Sequence, residues 1–210
     1  MRTVSNAGAG RGPWGADTPR DESEARARLL DAAERCYAEK GVSQTRMVDI
    51  ARAAGVHRST VYSYFPSRDT VRAAFFVRAM SAVLDAAEPC FHTDEPFLDQ
   101  LVNAVTIGLA TARNSPTMRL LITRDQAGQT YRAASTSEDW RKNLVEGIGQ
   151  RIAAAIALGE VRDDVSAEAM ALWVTRIAFS LVEEPGRPEE GGDEGILRGF
   201  LARALGRRHT

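Results

Sequence analysis

The segment from Asp49 to Phe65 reads DIARAAGVHRSTVYSYF, and its second half concentrates side chains that hydrogen-bond to nucleic acid. Arg58 can pair with guanine edges in a major groove. The hydroxyls of Ser59, Thr60 and Ser63 can bond bases or phosphates, and the rings of Tyr62 and Tyr64 can reach the backbone. Arg68 follows at the expected start of the next helix, where its charge and the helix's opening N–H groups can both meet a phosphate. Catalytic chemistry has no comparable support. There is no nucleophile–base arrangement, no glycine loop that cradles a phosphate and no H-E-x-x-H spacing, so no enzyme activity and no cofactor are expected. His92 and His209 have no ligand partners, and no metal site is expected. Cys36 and Cys90 are too few for a disulfide framework and read as small hydrophobes in a reducing compartment.

Two short helices must hold those polar groups in place. Ile50, Ala51, Ala54, Val56, Val61 and Phe65 are apolar where the helices would lock together, and Gly55 supplies the positive φ of a tight turn. Before them, Asp21-x-x-Glu24 has the form of a capping box, and Leu29, Leu30, Ala33, Cys36 and Tyr37 recur at helical spacing up to Gly41. Thr45 or Arg46 is placed to cap a helix over 46–54, and a third helix follows over 58–65. Ser67 is placed to cap a fourth that runs to about Pro89. Further helices are expected over about 96–114, from Ser115-Pro116 onward, from Ser137 to Gly159, from Ser166 through Leu181, and from Ile196 to Leu205. The stretch EEPGRPEEGGDEG from Glu183 to Gly195 reads as a polar loop. No alternating strand pattern occurs, so the expectation is an all-α chain of about nine helices. Its expected parts are a disordered tail over 1–20, a three-helix DNA-binding head over 21–66 and a larger helical domain over 67–210.

Composition agrees with a folded chain: 44% of the 210 residues are hydrophobic and 26% charged, enough to bury a core. No apolar run approaches the length of a membrane span and no leader pattern opens the chain, so a soluble, cytoplasmic protein is expected. The formal net charge of −1 conceals a division. Between residues 40 and 68, Lys40, Arg46, Arg52, Arg58 and Arg68 face only Asp49, a net of +4 on an otherwise acidic chain. A basic island of that kind suits a polyanion at one end of the molecule.

The stretch TRMVDIARAAGVHRSTVYSYFPSRD resembles the DNA-binding signature of the tetracycline-repressor (TetR) family of bacterial regulators, through its Ile-Ala, Ala-Gly-Val, Thr-x-Tyr and final Phe. The resemblance covers about residues 24–70; the rest is similar in helix count and in a WVTRIAFSL segment. It implies a homodimer on a palindromic operator, usually released when a small molecule enters the larger domain. It places Thr45 or Arg46 against phosphate, Arg58, Ser59, Thr60 and Ser63 toward bases, and Tyr62 and Tyr64 on backbone. Arg68 stands where the family usually has Lys, His57 where Ser is common at the recognition-helix cap, and Arg46 where Thr or Ser is commonest. The architecture implies an effector pocket between about residues 80 and 180. Met118, Leu121, Ile122, Trp140, Leu144, Trp173 and Phe179 are candidate walls, with Arg119, Arg124, Asp125 or Gln126 as polar anchors. An aromatic content of 7% argues against a broad aromatic pocket. Two late helices are the candidate dimer interface, through Met170, Val174, Ile177, Ala178, Leu181, Phe200, Leu201 and Ala204. The alternative is a helix-turn-helix protein without a ligand, acting through protein partners or organising DNA.

Overall fold

The computed structural model describes Trp14 and residues 17–207, and all of their regular structure is helical. The chain divides into two compact units, with the boundary between Val71 and Arg72. Of the tail expected over 1–20, residues 1–13, 15 and 16 lie outside the described residues. Among the described residues, no helix is long and apolar enough to cross a membrane.

Unit 1 is built on α1 (Glu22–Lys40), α2 (Met47–Ala54) and α3 (Arg58–Tyr64). Asp21 caps α1 by accepting the Glu24 N–H at 2.8 Å. Glu24 does not complete the box: its carboxylate turns back to the Arg20 N–H and side chain and to Arg28. Those donors hold the Glu24 carboxyl down to about 2. Leu29, Leu30, Ala33, Cys36 and Tyr37 form the buried stripe of α1, and Ile50, Ala51, Val61 and Phe65 are buried in the same unit. Between α2 and α3, Gly55 takes φ +70°, the left-handed conformation that releases the chain from one helix into the next. The Val56 N–H returns to the Ala51 carbonyl at 3.0 Å, so the turn closes on its own backbone.

The fourth helix, α4 (Arg68–Ala87), starts in unit 1 and continues into unit 2. Its first turn is closed by Ser67, whose hydroxyl accepts the Thr70 N–H at 3.1 Å. A tight 3₁₀ turn, Glu88–Phe91, ends it. Then come α5 (Phe97–Asn114), α6 (Pro116–Leu121), α7 (Ala127–Ser135), α8 (residues 138–158), α9 (Ala167–Glu183) and α10 (residues 192–205). Serines at 115, 137 and 166 each cap the helix that follows them, as their positions before the apolar stripes predict. The unit's core joins Leu101, Leu109, Ile152, Met170, Val174 and Leu201.

Two elements differ from the sequence expectation. The helix expected from Ser115 breaks after Leu121 and resumes as α7, giving ten helices among the described residues. The break is stable because the buried Thr130 hydroxyl donates to the Leu121 carbonyl at 2.8 Å, satisfying a group the helix end leaves open. The last helix starts at Gly192, inside the stretch expected to be a loop. Gly195 has no side chain where a Cβ would collide with the Glu190 carbonyl, and Asp193 accepts the Gly186 N–H at 2.9 Å. The glycine-rich run therefore packs tightly. Both α8 and α10 contain a widened π-helical turn, at Val145–Gly149 and Leu197–Leu201.

Candidate functional site

In unit 1, the helix–turn–helix presents one set of polar groups and buries another. Arg46, His57, Arg58, Ser59, Tyr62, Ser63 and Arg68 are exposed, and Tyr64 is partly so. The Arg58 guanidinium donates to the Tyr62 hydroxyl at 2.9 Å and lies 5.0 Å from the centre of that ring, one turn along the same helix. The Ser63 hydroxyl donates to the Thr60 carbonyl. Tyr64 meets the ring of Trp14 edge-on at 6.2 Å, and its carbonyl accepts from Arg26. His57 occupies the N-cap of α3 with no side-chain cap bond, so the serine-like capping role is absent at this position.

Two expected DNA contacts point inward instead. Thr45 is 2% exposed, and its hydroxyl donates to the carbonyls of Gly41 and Cys36 at 2.9 and 3.2 Å. It ties the α1–α2 connection together and has no hydroxyl hydrogen left for a phosphate. Thr60 is 6% exposed, because α3 turns it toward the same interior as Val61. Arg46 is the N-cap residue of α2, and the cap bond runs from its backbone N–H to the Asp49 carboxylate at 2.9 Å. Asp49 also receives Lys40 at 2.8 Å, which holds its carboxyl below the usual range and raises Lys40. Lys40 and Asp49 thus cancel, and the island's outward charge rests on Arg46, Arg52, Arg58 and Arg68.

Unit 2 contains a cavity of about 280 Å³. Met118, Ile122, Trp140, Leu144 and Phe179 are in its lining, whereas Leu121 and Trp173 are not. Leu121 is fully buried but lies outside the wall, and Trp173 is only partly buried, against the unit's core. None of Arg119, Arg124, Asp125 and Gln126 lines the cavity; its polar groups are Glu88, Asn143, Arg151 and Thr175. Phe76, Met80, Val83 and Leu84 of α4 complete a wall that the sequence analysis did not find. The available signal was the spacing of Phe76, Met80, Val83 and Leu84, apolar at i, i+4, i+7 and i+8 along one helix. Despite the low aromatic content, Phe76, Phe91, Trp140 and Phe179 all gather here.

The expected interface residues separate into two groups. Met170, Val174, Leu181 and Leu201 lie in the chain's own core, so their side chains are not available to a partner. Val174 and Ala178 also line the cavity. Ile177 and Ala204 are partly exposed, and Phe200 is 69% exposed. No group of three or more His, Cys, Asp or Glu that could hold a metal occurs among the described residues.

Residues 29–75 match the family model of bacterial regulatory proteins, tetR family. The HTH-type transcriptional regulator Rv1255c of Mycobacterium tuberculosis is 30% identical over 183 residues, which cover 83% of this chain and 82% of that one. TtgR of Pseudomonas putida, also an HTH-type transcriptional regulator, is 39% identical over 51 residues, 24% of each chain. Two solved structures share the fold. RolR, in complex with resorcinol, has a TM-score of 0.62 at 15% identity, covering 89% of this chain and 90% of its own. NalD of Pseudomonas aeruginosa has a TM-score of 0.53 at 20% identity, covering 91% and 100%. With its helix–turn–helix in the matched segment and a relative aligned over most of both chains, this chain belongs to the TetR family of DNA-binding transcriptional regulators.

Proposed function

We propose that this regulator is a ligand-responsive repressor. Two chains bind a palindromic operator through Arg46, Arg58, Ser59, Tyr62, Ser63 and Arg68, and a small molecule in the unit 2 cavity releases them. The observation that carries this is α4, a single helix of 20 residues. It holds Arg68 at its first position and Phe76, Met80, Val83 and Leu84 in the cavity lining further along. A ligand that binds one setting of α4 better than another shifts the population of that setting, and the position of Arg68 follows. A dimer supplies what one head lacks, since two heads about 34–36 Å apart reach successive major-groove turns. Its contact is proposed at the exposed parts of α9 and α10, around Ile177, Phe200 and Ala204. The effector is proposed to touch Met118, Ile122 and Trp140. NalD is a repressor of a multidrug efflux pump and RolR was solved with a bound ligand, which supports a repressor with an effector.

The test begins with selection of a binding site from random DNA. A palindromic site taken up by two chains is expected; uptake without sequence preference would instead support a DNA-organising protein. A compound library is then screened for loss of operator binding by fluorescence anisotropy. Ala104→Phe, which fills the cavity from a buried wall position, should abolish release while operator binding persists. Release that survives this substitution places the effector elsewhere.

A further inference from the structure

We infer that the unit 2 cavity selects a compact, uncharged and largely apolar molecule, and that the Glu88–Arg151 ion pair sets this selectivity by cancelling the only formal charges among the described residues of its lining. The inference rests on the proposal that this cavity is the effector site. A volume of about 280 Å³ lies at the lower end for small-molecule sites and calls for a compact ligand. The walls are aliphatic and aromatic: Phe76 lies 5.2 Å from Trp140 and 5.4 Å from Phe179, ring centre to ring centre.

The charged groups already have partners. Arg151 Nη2 is 2.7 and 2.6 Å from the two Glu88 carboxylate oxygens, and Nη1 donates to the Gly147 carbonyl at 3.3 Å. The guanidinium also lies over the Phe91 ring, 4.5 Å from its centre. His92 Nε2 is 3.0 Å from Glu88 Oε1, an oxygen that Arg151 also meets. Burial acts to raise the Glu88 carboxyl, but the His92 bond and Arg151 outweigh it and hold it below its usual range. The Thr175 hydroxyl donates to the Ala171 carbonyl and so offers a ligand only its oxygen. An anion entering this site must displace Glu88 or sit beside it, and a cation must do the same to Arg151. An uncharged ligand covers the apolar walls and leaves the pair intact.

The experiment uses the full chain and isothermal titration calorimetry with three two-ring probes of matched size: 2-naphthol, 2-naphthoate and 2-naphthylmethylammonium, at about pH 7. Wild type is expected to bind the naphthol about fivefold or more tightly than either ion, a modest ratio because the pair is partly solvated. Glu88→Gln leaves Arg151 unpaired and should shift preference toward the naphthoate. Arg151→Gln should shift it toward the ammonium. Both positions reach solvent, and a retained melting transition verifies that each variant is folded. A wild type that prefers either ion, a wild type that takes none of the three, or variants that keep the wild-type order would each overturn the inference. Operator binding is measured in parallel. Naphthol binding with unchanged operator affinity upholds the selectivity and counts against naphthol as an effector. If operator release can be driven only by charged compounds that occupy the cavity, the effector proposal stands and the selectivity falls.

Discussion

At the scale of single residues, Arg58 and Arg68 are expected to do different jobs with the same charge. Arg58 is on the exposed face of α3, and Arg68 opens α4. Arg58→Ala should relax preference at one operator position, by roughly 1–3 kcal/mol if both guanidinium nitrogens reach a base. Arg68→Ala should weaken all sequences alike and flatten the dependence of affinity on salt. Competition binding against single-base operator variants, repeated across a salt series, separates the two. Thr45 should behave as neither. Its buried hydroxyl joins the Gly41 and Cys36 carbonyls, so Thr45→Val should lower stability by about 1–3 kcal/mol in denaturant melts and leave operator preference unchanged. The sequence showed a polar residue beside a helix start and no sign of which way it faced. For Thr45 and Thr60, that direction is decided by packing among α1, α2 and α3, and a threonine is small enough to serve inside or out.

Among the elements, the helix–turn–helix was the most legible. Its apolar residues recur at helical spacing within a short span, and one glycine suffices to turn between helices. The cavity was legible only where its wall came from apolar stripes of α6, α8 and α9. Leu121 and Trp173 lie on the same helices but point away from it, and a stripe alone does not separate a cavity wall from the core beneath it. Glu88 and Arg151 are 63 residues apart, a pairing that only the tertiary fold brings together. The start of α1 has its own pH signature. The Glu24 carboxyl is lowered in the folded chain from about 4.5 to about 2, so its contribution is complete above 4.5 and is lost as pH falls toward 2. Glu24→Gln removes that dependence. The stability gap between wild type and variant, followed by circular dichroism, should be constant near neutrality and narrow between about pH 4.5 and 2. A gap that stays constant through this range would show that Arg20 and Arg28 do not hold the carboxylate in solution.

For the whole molecule, the distribution of apolar surface determines where a second chain could sit. Most of the stripe on α9 is committed to the chain's own core, which leaves Phe200 as the large exposed apolar side chain of the late helices. Phe200→Glu should raise the dimer dissociation constant at least tenfold in analytical ultracentrifugation, because a carboxylate would be buried without a partner. Operator affinity should fall with it, since a single head offers few base contacts. A variant that sediments as wild type does would move the interface away from α10. Ala178 is a poor site for the same test, since it also lines the cavity and a charge there would disturb both functions.

The gathering of Phe76, Trp140 and Phe179 in one wall also makes the protein its own optical gauge. Of its three tryptophans, only Trp140 lines the cavity; Trp14 lies against Tyr64 in unit 1, and Trp173 stands outside the lining. A chain with phenylalanine at positions 14 and 173, excited at the red edge where its four tyrosines do not absorb, would emit from the cavity alone. Its colour and lifetime would then register the expulsion of water as a molecule enters, with no attached dye and no DNA in the cuvette.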